Sequence, residues 1–72
     1  MLSFRAERWA RVVGRGWVAV VRCSYHPRIV GHRVMIDDRV YTCTGTESAS
    51  PSNGRLGILV RGEPAAGTPR DT

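Results

Sequence analysis

The chain of 72 residues contains no lysine: all 11 basic residues are arginine. It also has little of what most enzymes and secreted domains advertise. No serine sits in a Gly-x-Ser-x-Gly elbow and no His-Glu-x-x-His occurs. Only two cysteines are present, and aromatics make up 7% of the chain. The longest apolar run, Trp17–Val21, falls far short of the ~20 residues that a membrane-spanning helix needs. The first residues, "MLSFRAERWARVV", place Arg5, Arg8 and Arg11 where a signal peptide needs its apolar centre. These absences give the expectation of a non-enzymatic protein with no cofactor. It is expected to have no membrane span and no secretion signal, and to act inside a cell.

What is present is a strongly basic, moderately apolar chain: net charge +5, with 42% apolar residues. A single domain of this size buries only about 60% of its unfolded surface, so its core is thin and self-association would help it. The basic balance favours an anionic partner such as nucleic acid or a nucleotide. Arginine binds phosphate or carboxylate bidentately and stacks on flat rings. Compositional drift in a GC-rich genome would also replace lysine by arginine. The net charge survives that argument, whereas the choice of arginine does not.

Along the chain, residues 2–13 place Leu2, Ala6, Trp9 and Val13 at helical spacing. Arg5, Arg8, Arg11 and Arg15 fall on another face, Ser3 can cap and Gly14 can stop. This predicts a short helix ending near Ala10. The competing reading is a hairpin pairing residues 10–13 with 17–21 around Gly14–Arg15–Gly16. "WVAVVRC" (17–23) is dense in β-branched residues and reads as a strand. "SYHPRIVGH" is a loop. "RVMIDDRVYTCTG" (33–45) reads as a hairpin turning at Asp37–Asp38, although both aspartates must then accept positive φ. "TESASPSNGR" reads as a loop ending in an Asn53–Gly54 turn, and "RLGILVR" as the last strand. The expected division is a 1–13 arm or helix, a 14–61 β domain and a 62–72 flexible tail.

Two constellations deserve a chemical test. Cys23, His26, His32 and Cys43 are the ligand types of a structural zinc. Only Cys23-x-x-His26 has ligand spacing, however, and Cys43 lies mid-strand. Buried cysteines and surface histidines are the plainer reading, and a Cys23–Cys43 disulfide needs an oxidising compartment. The second constellation is basic and aromatic. Trp9, Trp17 and Tyr41 are platforms on which a base could stack, at ~1–3 kcal/mol each. Arg15, Arg22, Arg28, Arg33, Arg39, Arg55 and Arg61 are spread around them. If Arg33, Arg39 and Arg55 meet at one rim, they form a phosphate site. Trp17 also reads as core, and scattered arginines as a solvated face.

Gly31, Val34, Ile36, Asp37, Tyr41, Gly45 and Glu47 follow a Gly-x-x-Val-x-Ile-Asp-Gly-x-x-Tyr-x-Val-x-Gly-x-Glu layout. With "GRGWV" before it and "LGILV" after it, residues 14–61 resemble small SH3-like β-barrel proteins of tailed bacteriophages. Asp38 departs from the usual glycine. The resemblance implies a mainly β fold: a small SH3-like barrel or curled antiparallel sheet of about four to five strands. It implies no catalytic residues. It also suggests a phage-encoded homo-oligomer whose partners are an anionic ligand or another viral or host protein. The resulting expectation is a binder of a phosphate-bearing ligand. That ligand is nucleic acid, or a nucleotide signal sequestered between protomers to antagonise host defence. Its candidate contacts are Arg15, Arg33, Arg39, Arg55, Tyr41 and Trp17. The alternative is a capsid or tail component acting through protein contacts.

Overall fold

The computed structural model describes residues 1–25, 27–50, 53–64 and 70–71. They form strands β1 (Ser3–Phe4), β2 (Ala6–Val12), β3 (Gly16–Arg22), β4 (Arg33–Ile36), β5 (Arg39–Ser50), β6 (Arg55–Val60) and β7 (Arg70–Asp71). The sheet order is β1-β4-β5-β6-β3-β2-β7. Its inner pairs are antiparallel, while β1–β4 and β2–β7 are parallel. The mainly β expectation holds. The sheet is mixed rather than purely antiparallel, has more strands than expected, and is not closed by a ladder between β1 and β2. Among the described residues there is no α-helix, and no helix long and apolar enough to cross a membrane.

Residues 2–13 therefore contradict the predicted helix: 6–12 form the competing hairpin with β3, longer than the expected 10–13 pairing, and 3–4 pair with β4. The physical reason is a bulge. Ala6 faces Val21 and Arg8 faces Val20, which leaves Glu7 as an extra residue on β2. The bulge puts Ala6 and Trp9, three apart, on the same inner face, and that spacing mimics a helical stripe. Val13, assigned to the same stripe, is 95% exposed at the hairpin tip. There Arg15 N–H donates to the Val12 carbonyl at 3.0 Å, and Gly14 takes a φ of 79°. Glycine suits that turn position because it carries no Cβ penalty at positive φ.

The sheet is strongly curled. In the strand order β1 and β2 lie five spacings apart, or about 24 Å in a flat sheet. Phe4 and Ala6 are two residues apart along the chain, at most about 7 Å. The sheet must bend until its two sides meet at Arg5. Asp37 pins this seam: its N–H donates to the Phe4 carbonyl at 3.1 Å. Its Oδ1 accepts from Ala6 N–H at 3.0 Å, and its Oδ2 accepts from the Trp9 indole N–H at 3.4 Å. The Asp37–Asp38 turn forms as predicted, with φ of 52° and 65°. That double positive φ is the signature of a type I′ hairpin.

Inside the curl lie Trp9, Trp17, Ala19, Val21, Ile29, Val34, Ile36, Tyr41, Cys43, Leu56, Ile58 and Val60. Period-two alternation of β3, β4 and β6 supplies most of them. The outer face of β3 and β6 is buried too, at Val18, Val20 and Leu59. Gly57 lies among them. A Cβ there would come within 3.0 Å of Val18 Cγ2 and 3.1 Å of Glu47 Cγ. β5 runs on to Ser50, so most of the predicted 46–55 loop is strand.

Candidate functional site

The aromatic candidates are committed to packing. Tyr41 and Trp17 are each 8% exposed and Trp9 1%. The Trp9 and Tyr41 rings pack against each other with centroids 5.3 Å apart, tilted by 50°. Burying these flat groups is worth more to a thin core than holding them out for a ligand. The predicted stacking platforms are thus the centre of the fold.

Nine of the arginines divide into two sets. Arg15 is held by Glu47 at 3.0 Å. Arg55 makes a two-pronged contact with Glu7, Nε–Oε1 at 2.6 Å and Nη2–Oε2 at 3.2 Å, while its Nη1 donates to the Asn53 carbonyl at 2.7 Å. Arg22, directly across the ladder from Arg55, lies 3.4 Å from the same carboxylate. Arg5, Arg11, Arg28, Arg33, Arg39 and Arg61 are exposed and have no carboxylate partner among the described residues.

The expected meeting of Arg33, Arg39 and Arg55 at one rim does not occur. Arg39 begins β5, Arg33 pairs with Thr42 further along it, and Arg55 pairs with Ser50 at its far end. What the ladder does bring together is Arg33, Thr42 and Arg61. Arg61 N–H donates to the Thr42 carbonyl at 3.1 Å, on the other side of β5 from Arg33. Val34, Cys43 and Val60 point inward, so alternation turns the three neighbours outward. Two adjacent-strand spacings put the two arginine Cα atoms about 10 Å apart. Sequence reasoning missed this row because Arg33 and Arg61 are distant in the chain and meet only through the register.

The zinc constellation does not assemble among the described residues; His26 lies outside them. Cys43 is fully buried, His32 is exposed and Cys23 is half-buried. Both cysteines are free thiols, so the disulfide is absent. Cys43 Sγ donates to the Gly45 carbonyl at 3.3 Å, and burial raises its pKa above the ordinary thiol value.

A second basic feature was not foreseen. A cleft of about 600 Å³ opens between β1, the residues following β3 and the turn before β6. Arg22, Arg55, Cys23 and Tyr25 line it. Tyr25 is 58% exposed, unlike the buried aromatics. Compared with known proteins, the chain matches no family model, no curated protein and no solved structure.

Proposed function

We propose that the protein is a non-enzymatic module that binds phosphate-bearing ligands, single-stranded nucleic acid first among them, through its outer arginines. The observation that carries this reading is the Arg33–Thr42–Arg61 row. It places two cations without carboxylate partners among the described residues on either side of β5, Arg33 at the start of β4 and Arg61 just past the end of β6, on the same face. Neutralising phosphates releases counterions, which drives binding without base readout. The buried state of Trp9, Trp17 and Tyr41 favours backbone contact over base stacking. A relation to the small SH3-like phage barrels is proposed with it on the sequence pattern of residues 14–61 alone; the mainly β fold is compatible with it.

The test is binding of short RNA and DNA oligonucleotides across a salt series. Affinity is expected to fall with salt, and Arg33→Ala and Arg61→Ala each to reduce the log–log slope by about 0.7 for a single strand. Absence of binding at ~50 mM salt, or a slope that neither variant changes, refutes the reading. The assembly alternative draws on Val13, Val30 and Val40, which are exposed at 95%, 56% and 49%. Light scattering that shows a monodisperse monomer would remove it.

A further inference from the structure

We infer that the cleft beside Arg22 binds a mononucleotide, with its phosphate on Arg22 and its base against Tyr25. This deepens the proposed reading by naming a small ligand and a place apart from the Arg33–Arg61 row.

The cleft volume of about 600 Å³ lies within the ~300–1,000 Å³ usual for small-molecule sites. A second hollow of about 510 Å³ adjoins it, sharing Ser3, Phe4 and Arg22 and adding Arg5. Arg22 therefore stands where the two hollows meet. Its side chain is 77% exposed, and its only described ion pair is the 3.4 Å contact of Nε with Glu7. Nε carries one of the five guanidinium N–H donors, so the donors on Nη1 and Nη2 remain for a ligand. A terminal phosphate offers the paired oxygens that this fork prefers.

Arg55 has a different part. Glu7 and the Asn53 carbonyl take three of its five donors, one on each nitrogen, so it adds positive charge and holds Glu7 in place. Glu7 in turn steers Arg22. Two guanidiniums around one carboxylate leave the site with one net positive charge, which selects for an anion. Tyr25 supplies what a bare phosphate would not use. It lines the cleft with more than half of its surface exposed. Its backbone carbonyl accepts from Cys23 Sγ at 3.1 Å, and Cys23 N–H donates to the Gly54 carbonyl at 2.8 Å. These bonds tie the Tyr25 segment to the turn that carries Arg55. An aromatic face beside a phosphate-binding fork suits a base joined to a phosphate through a sugar.

The experiment compares adenosine 5′-monophosphate, inorganic phosphate and adenosine as probes by calorimetry on the full chain. The nucleotide is expected to bind at least tenfold more tightly than either part. Arg22→Ala is expected to weaken the nucleotide and phosphate at least fivefold. Tyr25→Ala is expected to reduce the nucleotide to the level of phosphate while leaving phosphate unchanged. Both side chains are mostly exposed, and melting curves confirm that the variants fold. The nucleotide should also slow alkylation of Cys23, which lines the cleft, at least fivefold. A nucleotide that binds no better than phosphate, a silent Tyr25→Ala, or unprotected Cys23 overturns the inference. Oligonucleotide binding that survives Arg22→Ala but falls in Arg33→Ala, with no nucleotide binding, defeats this inference and leaves the surface reading standing. Nucleotide binding without any oligonucleotide binding does the reverse.

Discussion

Replacing Asp37 by alanine tests the account of the seam. The carboxylate serves two donors at once: the half-buried Ala6 N–H at 3.0 Å, and the indole N–H of Trp9, whose residue is 1% exposed. Without it the indole N–H is left in the core with no acceptor from Asp37, at a cost of about 1–3 kcal/mol. Alanine at a φ of 52° keeps the Cβ that aspartate already has but loses the polar side chain that compensates it there, which adds up to about 1 kcal/mol. The expected loss is about 2–4 kcal/mol, against a total of only about 4–10 kcal/mol for a domain this size. At ~4–8 °C per kcal/mol, Tm should fall by roughly 10–30 °C. Urea titration should show a lower midpoint with an unchanged m-value. Asp37→Asn tolerates the same φ but has one acceptor oxygen in place of two, so it should lose about half as much. Combining Asp37→Ala with Trp9→Phe should lose less than the sum of the single changes, by at least ~0.5 kcal/mol. An Asp37→Ala protein that melts within about 4 °C of the parent would refute the seam.

Asp38→Gly should stabilise the hairpin by up to about 1 kcal/mol, since glycine meets a φ of 65° without a Cβ penalty; a lowered Tm would contradict this. Gly57→Ala should cost about 1–3 kcal/mol by overpacking, because the new methyl would press on Val18 and Glu47, and a neutral melt would show that the outer layer gives way easily. A thiol reagent should modify Cys23 quickly and Cys43 only as the chain unfolds, since Cys43 is fully buried; two equal fast phases would be the contrary result. Burial raises the Cys43 pKa in the folded chain, so the unfolded chain releases that proton first. The linked stability is intact below about pH 8.5, the ordinary thiol pKa, and declines as pH rises through the folded value. Cys43→Ala should remove this alkaline decline.

The strands 16–22, 33–36 and 55–60 and the Asp37–Asp38 turn were legible in the sequence. Alternation and turn chemistry are local, and each of these segments obeys them. Residues 2–13 were misread because one bulge at Glu7 converts a two-residue period into a three-residue one. No local pattern distinguishes that from a helix. The length of β5 was hidden for a related reason: Ser, Thr and Gly read as loop, yet β6 supplies them with a ladder.

The sequence by itself determined the charge, the absence of familiar catalytic motifs and the β character, because these depend on composition and nearest neighbours. Only the tertiary structure decided which arginines are spent and which are not. Glu7 captures Arg55 from far along the chain and steers Arg22, while Arg33 and Arg61 become neighbours through β5. It also decided that the tryptophans and Tyr41 are core, and that Tyr25 lines a cleft, exposed, beside the partly buried Phe4. Register and curl set these distances, and neither is a property of any short stretch of chain.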